Sequence, residues 1–258
     1  MERRTIQNVL LATLIALGTL GVPSAMAQES TLRHFQCYEI RPSPRFAPIG
    51  VNLVDQFNSP GGAFVNVKKP RNVCVPANKN DEDPGAVADP QHLAGYRLSR
   101  PSPKFAKLFN QEIVNQFGTT FVDVVKPSEL LVPSTKSLIG PPSPPDGDLD
   151  HFTCYKVRRA RGTPKFQRIF GVKVEDQFFS SAGAAFVDII KPKLLCAPTN
   201  KNGEDPGAEA GTAHLLCYKV RSVGGLDFLP VFVNNQFGEE SYQLKRRKLF
   251  CVPSLKNP

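Results

Sequence analysis

One phrase is written four times along this chain of 258 residues, and the repetition constrains the fold more than any other feature. Each copy begins at one of the four histidines in the sequence, with the pattern H-[FL]-x-[CG]-Y: His34, His92, His151 and His214. Each is followed by Asp-Gln-Phe or Asn-Gln-Phe, a β-branched run, Lys-Pro or Arg-Arg, and a closing phrase that ends in proline. Such periodicity predicts a fold built from copies of one supersecondary unit.

The segments within each unit favour β-strands. VNLVDQF, FVDVVKP and VKVEDQF are rich in Val, Ile and Phe and are bounded by Gly, Pro, Asn and Ser. No segment has a sustained helical period. Three or four strands bury little surface alone, so two units are predicted to share one core. We therefore expect an all-β fold of two tandem, disulfide-stapled modules, β-sandwich or barrel-like, each built from two repeats of about 58 residues.

The units also alternate, because units one and three carry Asp-Gln-Phe and NKN-x-EDPGA, whereas units two and four carry Asn-Gln-Phe-Gly. The chain thus reads as one pair of units written twice, with a segment rich in Pro and Gly between the pairs. The predicted organisation is a signal peptide (1–27), module 1 (28–133, units 34–77 and 92–133), a linker (134–150) and module 2 (151–258, units 151–199 and 214–258).

The six cysteines follow the repeat in a way that predicts their pairing. Unit two has Gly95 and Leu131 at the two positions where every other unit has cysteine. Two cysteines missing together from one copy is what a bond between those positions predicts. The expected disulfides are Cys37–Cys74, Cys154–Cys196 and Cys217–Cys251. Each closes a loop that contributes roughly 3–4 kcal/mol in the chain-entropy model. The alternative is free thiols that act in catalysis or metal binding.

The N-terminus predicts export. Residues 1–4 are basic, residues 5–22 are largely apolar, and residues 25–27 form a small-x-small cleavage site. Arg3-Arg4 also permits a twin-arginine route. No later stretch is long and apolar enough to span a bilayer. We expect a protein of the periplasm, the cell surface or the extracellular medium, which agrees with the predicted disulfides.

The net charge of +9 predicts anionic partners. For an exported protein these are anionic glycans, lipid headgroups or acidic envelope proteins rather than nucleic acid. The candidate contact residues form two clusters: Arg158, Arg159 and Arg161, and Lys245, Arg246, Arg247 and Lys248. The alternative for both clusters is a solvated surface.

The two NKN-x-EDPGA phrases are candidate calcium loops, because they place oxygen atoms at alternate positions as calcium ligands require. The candidate ligands are Asn78, Asn80, Glu82 and Asp83, and Asn200, Asn202, Glu204 and Asp205. Aspartate stands at the sixth position, where an EF-hand loop requires glycine. The alternative is that these residues form turns between units. The linker contains a further alternating series of aspartates at residues 146–150.

The remaining repeated residues favour structural roles. Residues three apart on a strand point to opposite faces, so His and Cys of one H-x-x-C phrase do not share a metal ion. The tyrosines of the phrase are expected to pack in the core. Asp or Asn of the Gln-Phe phrases is expected to hold the following turn. No nucleophile elbow, zinc-protease motif, P-loop or dinucleotide fingerprint is present.

The phrases HFTCYKV, GVKVEDQF and KPKLLCAPTNKNGEDPGA resemble an uncharacterised family of exported bacterial repeat proteins, a domain of unknown function. The resemblance covers most of residues 34–258 and implies no activity, ligand or active-site residue. We expect a non-enzymatic protein with a binding or structural role at the cell envelope or outside the cell, towards anionic glycans. The alternative is an exported hydrolase of envelope or extracellular polysaccharide, whose two carboxylates leave no local motif.

Overall fold

A computed structural model describes residues 32–42, 45–146, 149–179, 183–222 and 229–257. The predicted signal peptide lies outside these residues. The described chain is all-β, with two short 3₁₀ helices at Pro84–Ala88 and Ala208–Ala210. Within it, no helix has the length and apolarity needed to cross a membrane. The strands are β1 (Phe35–Pro42), β2 (Ile49–Val54), β3 (Ala63–Lys79), β4 (His92–Leu98), β5 (Leu108–Asn115), β6 (Gly118–Ser137), β7 (His151–Arg159), β8 (Ile169–Asp176), β9 (Ala185–Lys201), β10 (His214–Ser222), β11 (Pro230–Asn235) and β12 (Gly238–Lys256).

Each unit contributes a first strand, a middle strand and a long strand, in that order along the chain. The first strands (β1, β4, β7 and β10) alternate with the long strands (β3, β6, β9 and β12) around a closed antiparallel ring. The order is β1, β3, β4, β6, β7, β9, β10, β12 and back to β1. Closure of the ring leaves its strands without free edges.

The inside of the ring holds the three predicted disulfides, and all three pairings are confirmed. Cys37–Cys74, Cys154–Cys196 and Cys217–Cys251 are bonded between directly paired positions of neighbouring strands. Successive bridges touch, because Cys37 Sγ lies 3.7 Å from Cys251 Sγ and Cys196 Sγ lies 3.9 Å from Cys217 Sγ. Phenylalanine and leucine side chains from the four units complete this buried cluster. Three disulfides indicate an oxidising compartment.

The middle strands form the outer layers. Each makes a hairpin with the N-terminal half of its own long strand, and its end pairs with the tip of the long strand two units away. Thus β2 pairs with β9, β8 with β3, β5 with β12 and β11 with β6. The pairing of the long strands with the first strands shifts register next to the Lys-Pro or Arg-Arg phrase and then continues. Proline has no N–H for the ladder, so a strand containing it bends there.

The expected division into two separate modules is not confirmed. One 12-stranded sheet contains strands from both halves of the chain, and the predicted linker begins inside β6. One outer core joins the middle and long strands of units one and four, and the other joins those of units two and three. The physical reason is the exchange of middle strands between units one and three and between units two and four. Each unit buries its apolar face against other units rather than only against its sequence neighbour.

The Asp-Gln-Phe and Asn-Gln-Phe phrases hold this exchange together. In every copy, Oδ1 of the Asp or Asn that begins the phrase accepts the backbone N–H of the phenylalanine two residues later, which confirms the predicted turn role. The same side chain hydrogen-bonds the buried tyrosine two units away. Tyr155 donates its hydroxyl to Asp55 over 2.6 Å, and the amide of Asn115 donates to the Tyr218 hydroxyl over 3.0 Å. The tyrosines are core residues, as expected.

The repeated histidines meet the repeated glutamines. Gln56 contacts the ring of His214 and Gln236 that of His151, both at 2.5 Å, and Gln116 contacts His34 at 3.0 Å. His214 donates Nδ1–H to a backbone carbonyl and accepts from Gln56 at Nε2, which fixes a neutral tautomer. Burial lowers the pKa of His214 to about 4, although the hydrogen bond to the backbone of Thr212 acts in the opposite direction. These contacts give the histidines a structural role.

Gly95 is explained by a buried polar pair inside the ring. A Cβ atom at Gly95 would lie 2.0 Å from Oδ1 of Asn72, the residue opposite on β3. Asn72 donates its amide to Glu129 over 2.8 Å, and both side chains are buried. Units three and four have Leu194 and Leu249 at the position of Asn72. Beside Gly95 of unit two, the hydrogen-bonded pair Asn72–Glu129 therefore occupies the space that a cysteine side chain would need.

Candidate functional site

One end of the ring carries a band of positive charge, which we call the basic rim. Three positions per unit form it: the first residue of Lys-Pro or Arg-Arg, the residue two positions after that, and the residue following the repeated tyrosine of the first strand. Ten of these twelve positions are basic, and the other two are Ser128 and Glu39. The basic residues of the rim are Lys69, Lys126, Lys191, Arg246, Arg71, Lys193, Lys248, Arg97, Lys156 and Lys219. Nine are exposed and Lys248 is half-buried.

Strand register places like charges of the rim opposite each other. Lys126 on β6 pairs with Lys156 on β7, and Lys191 on β9 pairs with Lys219 on β10. Like charges directly opposite in an antiparallel pair destabilise it by a few tenths of a kcal/mol to about 1 kcal/mol. Fold stability therefore does not account for these pairs.

The crowding of cations is visible in the rim pKa values. Partial burial and then the charges of Lys191, Lys219 and Lys156 lower the pKa of Lys193. Burial also lowers the pKa of Lys248, where Glu129 opposes the effect and Arg71 adds to it. A group of cations that repel each other gains from an anionic partner, because the partner relieves the repulsion.

Two carboxylates partly balance the rim. Arg246 donates Nε–H to Glu39 over 2.6 Å, and Lys245 Nζ lies 3.6 Å from the same carboxylate. Burial favours the neutral form of Glu39, but these cations outweigh it and lower its pKa. Glu129 lies buried at the floor, with Arg71 3.8 Å away. Glu39 lies on β1 and Glu129 lies on β6, so neither of these carboxylates is on the β9–β10 pair, which forms the most basic part of the rim.

The predicted basic clusters are only partly at the rim. Arg246 and Lys248 belong to it, and Lys245 lies beside Glu39. Arg247 is buried, with its guanidinium 3.9 Å from the ring centroid of Phe179, so its assignment to an exposed binding surface is corrected.

The second cluster lies beyond the rim on β7. Arg158 donates to Asp123 over 3.1 Å, Arg159 donates to the carbonyl of Thr163, and Arg161 is exposed after the end of the strand. The sequence clusters thus missed the lysines that the ring brings together. The signal that could have found them is the basic residue that begins each Lys-Pro phrase and that follows the repeated tyrosine in units two, three and four.

The oxygen atoms of the first NKN loop have partners within the protein. Asn78 Oδ1 accepts the backbone N–H of Asp83 over 3.0 Å, and Asn80 Oδ1 accepts that of Lys173 over 3.1 Å. Glu82 binds Lys79, and Asp83 binds Arg33. These contacts close the loop and tie it to β8.

The second NKN loop repeats most of this arrangement. Asn200 Oδ1 accepts from Asp205 over 3.3 Å, Asn202 Oδ1 accepts from Asn52 over 2.9 Å, and Glu204 binds Lys201. Asp205 differs from its counterpart, because Asp150 of the linker stands where the first copy has Arg33. Burial and, to a smaller extent, the neighbouring carboxyl group of Asp205 raise the pKa of Asp150 to about 6. Across the described ranges, no group of three or more His, Cys, Asp or Glu side chains is arranged to hold a metal ion.

Comparison of the chain with protein-family models, with curated proteins and with solved structures gives no significant match. The functional argument therefore rests on the geometry of this chain.

Proposed function

We propose that the protein is a non-enzymatic, exported binding protein that holds an anionic glycan on the basic rim. The observation that carries the proposal is the register of the rim, which sets Lys126 against Lys156 and Lys191 against Lys219. The repulsion within each lysine pair destabilises the free protein, and an anion between the two lysines offsets this repulsion.

A polymer fits the rim better than a single small anion. Neighbouring strands of a sheet lie about 4.8 Å apart, so cations on successive strands present a row of contacts along the ring end. A chain of carboxylate- or sulfate-bearing sugars offers many charges at once and gains from several weak contacts. The oxidising compartment indicated by the disulfides favours a glycan over an intracellular polyanion.

Binding of polygalacturonate, followed by isothermal titration at low and moderate salt, tests this proposal. Lys191→Gln with Lys219→Gln removes two rim charges and is expected to weaken binding about twofold to thirtyfold, from roughly 0.2–1 kcal/mol per exposed charge contact. It should also flatten the salt dependence, because fewer exposed charges remain to be screened.

The matched control is Lys173→Gln with Lys256→Gln. Lys173 Nζ donates to Asp81 in the loop after β3, and Lys256 ends β12, about eight residues or 26 Å along the strand from Lys248 of the rim. This control removes the same charge and is expected to change the affinity by less than about twofold. Equal weakening by both double variants would show that net charge alone attracts the polymer. If the rim variant binds as tightly as the wild type, the basic rim is not the binding site.

A further inference from the structure

A cavity of about 190 Å³ lies between units one, two and three. Its apolar wall is formed by Leu53, Phe57, Val65, Phe105 and Tyr155. Phe57 meets the Tyr155 ring edge-on at 4.9 Å between centroids, and Phe105 lies tilted at the same distance. The Tyr155 hydroxyl already donates to Asp55, so the cavity meets the aromatic surface of this residue.

The repeat supplies a filled copy of the same place. Phe179 stands in unit three where unit one has Asn58, and Arg247 stands in unit four where unit two has Pro127. Phe179 stacks on Tyr38 at 6.2 Å between centroids, and the Arg247 guanidinium covers Phe179 at 3.9 Å. Asn58 and Pro127 both line the cavity, so the smaller side chains at these two positions leave it open.

The size and lining of the cavity define the ligand. An apolar cavity of about 150 Å³ accepts benzene, so 190 Å³ accommodates one aromatic ring with a small substituent. Lys104 is the charged residue of the lining and is exposed, so it marks the side open to solvent. An aromatic ring against Phe57, Phe105 and Tyr155 would gain edge-to-face contacts in addition to burial.

We propose that this cavity binds a single-ring aromatic carboxylic acid, with the ring among the aromatic side chains and the carboxylate towards Lys104. The cavity borders the basic rim, because the lining residues Pro127 and Tyr155 adjoin Lys126 and Lys156, but the proposal does not depend on glycan binding.

Fluorine NMR with 4-fluorobenzoate, and with the neutral 4-fluorobenzamide of the same size, tests the site on the mature protein with its disulfides intact. The wild type is expected to bind 4-fluorobenzoate saturably. Asn58→Phe copies the residue of unit three and should lower the affinity for both probes at least tenfold. Asn58→Ala, the control at the same position, removes an amide without filling the cavity and should keep the affinity within about threefold.

Lys104→Gln separates the charge from the shape of the site. It should weaken 4-fluorobenzoate about threefold to fivefold and leave 4-fluorobenzamide within twofold, as an exposed ion pair contributes up to about 1 kcal/mol. Absence of saturable binding to the wild type, or equal binding by Asn58→Phe in a folded state verified by near-ultraviolet circular dichroism, would overturn the proposal. If Asn58→Phe does not fold, the Lys104→Gln comparison decides: equal losses for the acid and the amide overturn the carboxylate assignment.

Discussion

Replacing Asp55 by asparagine tests how the buried tyrosine contacts stabilise the ring. Asp55 is fully buried, accepts the Tyr155 hydroxyl over 2.6 Å and accepts the Phe57 N–H over 2.8 Å. Asn115 holds the same position in unit two, keeps the same turn and donates its amide to Tyr218. The shape of the site is therefore compatible with either residue, and Asp55→Asn changes mainly the charge.

The magnitude follows from the buried carboxyl. Burial raises the pKa of Asp55 from 3.8 to about 6, despite the opposing hydrogen bond from Tyr155. Because the folded-state pKa lies above the unfolded one, this group stabilises the fold fully below pH 3.8 and loses that contribution as the pH rises through 6. At 1.36 kcal/mol per pKa unit the loss is about 3 kcal/mol. Asparagine does not titrate, so Asp55→Asn should gain this amount relative to the wild type between pH 4 and pH 7.5.

Urea unfolding of the oxidised protein at several pH values measures the difference. The difference in unfolding free energy between Asp55→Asn and the wild type should rise with pH between about 4 and 6.5 and then level off. The reverse change, Asn115→Asp, should introduce a pH dependence of the same sign in unit two. A difference that stays constant with pH would refute the reasoning that an ionised carboxylate at Asp55 costs stability.

Three further outcomes follow from the fold. Burial lowers the pKa of His214 to about 4, so the contribution of neutral His214 to stability is present above pH 6.5 and is lost as the pH falls through 4. His214→Asn should therefore reduce the loss of unfolding free energy at acid pH, measured by urea unfolding. An unchanged loss at acid pH would contradict this prediction. Gly95→Cys with Leu131→Cys should form a fourth disulfide, seen by mass spectrometry, only when Asn72→Leu is added, because Leu194 and Leu249 stand opposite cysteines in the other units. Bond formation without Asn72→Leu would contradict the clash with Asn72. Millimolar calcium should move the midpoint of thermal unfolding by less than about 1 °C, because the oxygen atoms of the NKN loops already have partners within the protein. A clear rise in the midpoint would favour the calcium hypothesis.

The disulfides and the all-β fold could be predicted because each depends on local pattern. The joint loss of cysteine at Gly95 and Leu131 identifies bonded positions without any knowledge of topology. The strands follow from runs of Val, Ile and Phe bounded by turn residues. The turn role of Asp55 and its counterparts follows from the short side chain that reaches its own backbone.

The closed ring could not be predicted, because repeat order does not specify which units exchange strands. Nothing in the sequence of β2 distinguishes the tip of β9 from the tip of β6 as its neighbour. The basic rim was hidden for the same reason, since Lys156 and Lys126 are thirty residues apart and meet only through strand register. Sequence clusters such as 245–248 combine exposed and buried residues, because a bend at the Arg-Arg phrase points Arg246 outward and buries Arg247.

Lysine acetylation footprinting with and without polygalacturonate tests the central claim most directly, because it reports each lysine separately. The protein is treated with limiting acetylating reagent, and the extent of modification at each site is read by mass spectrometry. The account predicts that the polymer protects Lys156, Lys191 and Lys219 and leaves Lys173 at its unprotected rate. Equal protection across the surface, or protection of Lys173 without the rim lysines, would contradict a glycan-binding site on the basic rim.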